Sequence, residues 1–214
     1  MSTTLTVALL GAFHGLNPAM GWLFAVGLGL QEGRRAGVLR ALPPIALGHA
    51  LSIGAVLAAV SALRRVVPPR ALALAAAAVL LGFGGYVLVR RSVRHPRWVG
   101  MRVGFRDLTL WSFLMSSAHG AGLMLVPVLL AIPAAAAAGA HVGHAAQLAS
   151  TAGAIGGATA LGVHTLALFA VMAGVAIAVF EILGLALLRR AWINLDVIWG
   201  GAMVVAGVVT GVRA

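Results

Sequence analysis

Apolar stretches of bilayer-spanning length follow one another along nearly the whole chain, and no other feature constrains the fold as strongly. The hydrocarbon core of a membrane is crossed by about 20 consecutive apolar residues in helical form. Breaks read from arginine, proline and glycine clusters leave six candidate spans, at roughly 4–30, 41–63, 71–89, 108–132, 157–187 and 195–212. The 214 residues are 62% apolar and 9% charged, where a soluble domain carries about a quarter charged residues. An ordinary soluble domain is thereby excluded, and none fits in the connections between spans. The first stretch lacks the positive start and the A-x-A site of a signal peptide, so it reads as a helix of the mature protein. The expected fold is an all-α integral membrane domain over residues 1–214.

The net charge of +11 comes from 15 basic residues, all arginine, set against Glu32, Asp107, Glu181 and Asp196. The arginines fall mostly between spans, where they orient helices against lipid headgroups, so the lipid bilayer rather than nucleic acid is the expected partner. Basic residues in short loops are retained on the cytoplasmic side. Alternate connections hold Arg34, Arg35 and Arg40, then Arg90, Arg91, Arg94, Arg97, Arg102 and Arg106, then Arg189 and Arg190, eleven in all. The opposite side holds four, Arg64, Arg65, Arg70 and Arg213. Both termini are therefore expected outside, and the Ala, Gly and Arg usage with short loops points to a bacterial inner (cytoplasmic) membrane. There is no cysteine, which excludes disulfides and thiolate metal sites and leaves soft-metal chemistry to His and Met.

The two halves of the chain look alike. A unit whose first helix carries a central His-Gly pair and whose second carries another His occurs twice, as His14-Gly15 with His49 and as His119-Gly120 with His164. These units, about 4–89 and about 108–212, are joined by a basic cytoplasmic linker over 90–107. Three spans per unit is an odd number, so tandem units lie in opposite orientations. That is the inverted-repeat plan of many secondary transporters, with sites near the bilayer midplane between repeats.

By helical rise, His14 and His119 fall near the bilayer centre, with His49 and His164 at intermediate depths. Such histidines are costly unless they face a cavity, a partner or a ligand. Pro18 lacks an amide hydrogen and cannot bond the carbonyl of His14, which is expected to be freed beside the imidazole. Asn17, three residues on, is expected on the same helix face. Gly11 and Gly15 form a G-x-x-x-G that lets another helix approach. The candidate metal-ligating set is thus His14, Asn17, His49, His119 and His164.

Accessory candidates carry plainer readings beside the functional ones. Met20 is a possible soft ligand, although methionine in membranes is more often apolar filling. His141 and His144, in an outer connection over 133–156, form a capture pair or simply face solvent. Glu181 pairs with Arg189 or Arg190, or relays protons. Ser52, Ser116, Ser117 and Thr165 are supporting hydrogen-bond candidates. A lone histidine often just bonds across a bundle, and Gly and Pro are common in membrane helices. Four histidines in repeated positions favour function.

The chain resembles the lysine exporter superfamily, whose branches include nickel/cobalt transporters, thiol-reductant carriers and amino-acid exporters. The nearest resemblance is to the nickel/cobalt branch, whose first-helix signature runs His, two residues, an acid, Pro, one residue, His. His14, Asn17 and Pro18 match in position, with Asn in place of the acid and Met20 in place of the second His. The resemblance implies six helices in two inverted repeats and a metal substrate, nickel or cobalt. The thiol-carrier branch needs a cysteine pair that is absent here.

The expected function is a secondary transporter rather than an enzyme, exporting a divalent transition-metal cation by alternating access, with histidine protonation coupling metal to protons. No tightly bound cofactor is expected; the metal is substrate, and a homodimer is a candidate assembly. Three other readings compete with it. The broken first helix binds an amino acid or small solute through Asn17; paired histidines ligate haem or a metal in a redox protein; or the bundle is a membrane subunit acting through a partner chain.

Overall fold

The computed structural model describes residues 3–64, 66–90, 103–131, 142–183 and 195–214. Among them, all regular structure is helical. The helices are α1 (Thr3–Leu16), α2 (Trp22–Glu32), α3 (Arg35–Leu63), α4 (Pro69–Arg90), α5 (Phe105–Ala118), α6 (Val126–Ala131), α7 (Val142–Ala178) and α8 (Leu195–Arg213). Single 3-10 turns lie at Pro18–Met20 and Leu123–Leu125, and a π turn over Val179–Leu183 prolongs α7. Three stretches, Arg35–Leu63, Pro69–Val89 and Gly156–Ile182, are long and apolar enough to cross a bilayer. The protein is of membrane type, and helix is the form in which its backbone bonds itself in lipid.

The first and fourth expected spans are both broken at their centres. α1 stops at Leu16 because Asn17 is extended (φ −71°, ψ 118°) and Pro18 opens a 3-10 turn. The Asn17 side chain accepts the Ala19 amide at 3.0 Å, capping that turn. Gly21, at φ 120°, then turns the chain into α2. α5 ends in a different way, on a Schellman motif. Gly120 takes the left-handed conformation (φ 68°), and the amides of Gly120 and Ala121 bond the carbonyls of Ser117 (3.1 Å) and Ser116 (3.0 Å).

Two boundaries differ from the sequence expectation. The connection read over 133–156 is helical from Val142, because an Ala-rich run forms helix from its own propensity. α3 begins at Arg35, not 41, and contains Pro43 and Pro44. Both stand more than two turns into the helix, where a proline cannot bond the carbonyl four residues back, so those of Leu39 and Arg40 lose their usual helical partner. Residues 91–102 of the basic linker, His141, Arg189 and Arg190 lie outside the described residues, as does the side chain of His144.

Packing exchanges the two halves: α1 lies against α7, α5 against α3, and α4 against α8, while α3 also touches α2 and α7. Glycine makes two of these crossings possible. A Cβ on Gly11 would strike the His164 carbonyl oxygen, and one on Gly15 would lie 2.6 Å from that of Leu168. The G-x-x-x-G of α1 therefore lays its backbone directly on α7. Gly48 does the same for α3 on α5, where a Cβ would collide with the Thr109 carbonyl and come 2.8 Å from the Phe113 nitrogen.

One end of the bundle is closed by apolar packing and ion pairs. Val103, Leu28, Leu30 and Phe180 pack on a common core with Trp22, Val38 and Val179. The α2–α3 corner, the start of α5 and the end of α7 therefore share that end. Glu32 pairs there with Arg34 and Arg40, and Glu181 with Arg35 at 3.1 Å. Arg35 is thus a partner of Glu181 that the sequence reading did not name, while the expected pairing with Arg189 or Arg190 falls outside the described residues. The carboxylate lies about 25 Å along the chain from His164, half exposed and removed from the histidines.

Candidate metal centre

A polar layer lies between two apolar ones. On one side Ile45, Leu42, Leu168 and Met172 join Trp22 and Val26, and on the other Val7, Ile53, Leu57, Ala121 and Leu125 close the core. His49 stands one helical turn from both Ile45 and Ile53 on α3, and His164 stands between Leu161 and Leu168 on α7. His14 reaches the same layer from the last turn of α1. His14, His49, His119 and His164 all have 0% exposure, so protein replaces water around each of them.

Three of the four converge. The His14 ring lies 5.3 Å from that of His49 and 4.8 Å from that of His164, centroid to centroid, and His49 and His164 are stacked at 5.6 Å. The Nε2 atoms of His49 and His164 are 3.3 Å apart. Two imidazole nitrogens bound to one tetrahedral ion at about 2.0–2.1 Å are separated by about 3.4 Å, so this pair already stands at ligating distance. One nitrogen from each of the three histidines can be chosen so that all lie within 4.8 Å of one another. Drawing them onto a common ion, with its ligand nitrogens about 3.4 Å apart, closes the widest of these gaps by up to about 1.4 Å through side-chain rotation.

Neighbouring groups orient these rings. The His14 Nδ1–H donates to the Leu10 carbonyl (2.7 Å) and the His119 Nδ1–H to that of Met115 (2.8 Å). A carbonyl only accepts, so each neutral ring carries its lone pair on Nε2. The two halves thus set their His-Gly histidines by the same bond to the carbonyl four residues back. His49 Nδ1 is hydrogen-bonded to Ser116 Oγ at 2.8 Å, the kind of outer contact that fixes the tautomer and heading of a ligating imidazole. Ser112, one turn before Ser116, donates to the Ile45 carbonyl at 2.6 Å, and Ser52 bonds Ser117 at 2.9 Å. The α3–α5 seam is therefore held by serines. Ser112 was not singled out in the sequence, although its four-residue spacing from Ser116 puts both on one face.

The remaining candidates take other places. His119 caps α5 at the second break. Asn17 is buried, but its side-chain oxygen is engaged by the Ala19 amide. It leaves the His14 face because the helix on which the two would be neighbours ends between them. The His14 carbonyl, expected to be freed by Pro18, accepts the Asn17 amide at 3.1 Å. Met20 is fully buried. Rings packed at these separations leave no room for a macrocycle between any two of the three, so the geometry suits a bare ion rather than haem.

The second break depends on glycine. Gly120→Ala places a side chain at φ 68° with its Cβ 3.2 Å from the Met203 sulfur and 3.3 Å from the Phe83 ring, and is expected to cost about 1–2 kcal/mol. Gly162→Ala, on an exposed helical site with nothing within 4 Å of the new Cβ, is expected to stabilise by about 0.5–1 kcal/mol. Thermal unfolding of the two variants in detergent checks the contrast, and equal effects would contradict it.

Compared with protein-family models, curated proteins and solved structures, the chain matches none.

Proposed function

We propose that this protein is a secondary transporter for a transition-metal cation, with His14, His49 and His164 as the transport site. The observation that carries the proposal is the convergence of three fully buried imidazoles from α1, α3 and α7 in one layer of the bundle. Imidazole is a borderline ligand suited to first-row metals. A structural histidine needs one or two hydrogen bonds, not two further histidines. Apolar packing above and below the layer supports reading the state as occluded, the intermediate that alternating access requires.

The architecture proposed is six spans in two inverted repeats, as in the lysine exporter superfamily that the chain resembles. It is supported by the exchanged packing of α1 on α7 and α5 on α3 and by the breaks at matching His-Gly pairs. The shared end of the α2–α3 corner, the start of α5 and the end of α7 supports a common cytoplasmic side for the arginine-rich connections, with both termini outside, in a bacterial inner membrane. Neutral imidazoles bind a cation and imidazolium repels it. Proton arrival from outside therefore releases metal outward, the direction of export.

Purified protein in liposomes, with a metal-sensitive dye inside and pyranine reporting pH, tests this reading. Metal flux with opposed proton movement is expected from the wild type. The His14→Ala, His49→Ala and His164→Ala triple variant is expected to lose at least about 100-fold in flux. Undiminished flux in a folded triple variant would refute the site.

A further inference from the structure

We infer that the ion this site takes is monovalent and soft, copper(I), rather than a divalent ion such as nickel or cobalt. This rests on reading the triad as the transport site and concerns only the charge and class of its cargo.

Charge is the first consideration. The three converging ligands are neutral, and among the described residues no acid joins them. Glu32 is the last residue of α2 and faces Arg34 and Arg40; Asp107 lies in the first turn of α5 and accepts the Gly104 amide; Glu181 pairs with Arg35; Asp196 is the second residue of α8. Among the described residues no carboxylate therefore stands beside the triad to offset the ion. In a low-dielectric layer the cost of an uncompensated ion rises with the square of its charge, so a dication costs roughly four times what a monocation of equal size does. Sites for divalent ions inside proteins meet that cost with carboxylates or retained water, and this layer is sealed on both sides by aliphatic side chains.

Coordination number points the same way. Nickel and cobalt favour four to six ligands, and zinc with three histidines keeps a fourth position for water. Copper(I) has a filled d shell and is satisfied by two or three donors. The His49 and His164 nitrogens, 3.3 Å apart, with His14 beside them, supply that number.

Sulfur adds an independent observation. All five described methionines, Met20, Met115, Met124, Met172 and Met203, are buried. The Met203 sulfur lies 3.2 Å from where a Cβ on Gly120 would stand, against the backbone of the second break and next to His119 in the chain. Thioethers are ligands for soft ions such as copper(I) and poor ones for nickel or cobalt. The break that would move during access thus presents a donor of the same class.

The test is anaerobic titration of the full-length protein in nanodiscs with copper(I) against a chromophoric chelator. Zinc, nickel and cobalt are titrated separately, and X-ray absorption is recorded on the copper-loaded wild type. The expected result is one copper(I) per chain, at least about 1,000-fold tighter than any of the three divalent ions, with two or three nitrogen neighbours and no oxygen. His49→Ala is expected to abolish it, and the absorption spectrum identifies the donors should that variant not fold. A divalent ion bound one per chain as tightly as copper(I), or copper(I) bound outside the histidines, would overturn the inference while leaving transport of some other metal standing. Binding of none of the four ions would overturn the inference and the proposed function together.

Discussion

Gly11→Val is expected to prevent α1 from seating on α7 and to cost more than about 3 kcal/mol, the upper end of overpacking effects. A side chain at this position meets the main-chain oxygen of His164 and, at 3.0 Å, its carbonyl carbon, which cannot rotate away as a flexible side chain would. The two helices would have to part, and His14 and His164, which stand on them with ring centroids 4.8 Å apart, would part too. Stability and metal binding are therefore expected to fail together. Gly162→Val provides the comparison, since nothing lies within 4 Å of its new Cβ and its face is exposed. Thermal midpoints and size-exclusion profiles in detergent decide the matter. Near-native stability of Gly11→Val would mean that the α1–α7 crossing is looser than described.

Metal affinity is expected to fall in graded fashion along the line from His49 to Ser116. His49→Ala removes a ligand and is expected to weaken binding by more than about 100-fold, whereas Ser116→Ala removes only the group that orients the ring and is expected to cost about 10–100-fold. Unfolding of both metal-free variants separates lost ligation from lost packing. In wild type, affinity is expected to fall as pH falls, because protons compete for the same lone pairs. The sign follows from the neutral form being the ligand: a protonated imidazole has no free lone pair to give and repels a cation. If Ser116→Ala bound as tightly as wild type, the bond at 2.8 Å would have no part in setting the His49 ring. If affinity rose as pH fell, the ligands would not be imidazoles.

Much of this molecule was legible in the residues alone. Runs of apolar side chains dictate helices of membrane type because backbone polar groups in lipid have only each other to bond. Pro18 marks the first break by lacking an amide, and the His-Gly pair at 119–120 marks the second because glycine accepts the left-handed turn that ends α5. Gly11 and Gly15 announced a close helix crossing, and that crossing is present. These are local properties, set by a residue and its neighbours within a turn.

What only the tertiary structure decided is which of these features meet. His49 and His164 are 115 residues apart in the chain, yet their nitrogens lie 3.3 Å apart, an outcome of how α3 and α7 rotate about their axes when α1 and α5 pack on them. Asn17 shared a predicted face with His14 only while the helix was taken as continuous. Once the backbone turns at residue 17, the side chain serves the turn instead. Glu181 meets Arg35, 146 residues away in the chain, because the start of α3 and the end of α7 lie at one end of the bundle. Sequence periodicity gives depth along a helix, but contact across helices depends on crossing and rotation, and those are fixed by the sum of all the packing rather than by any one segment.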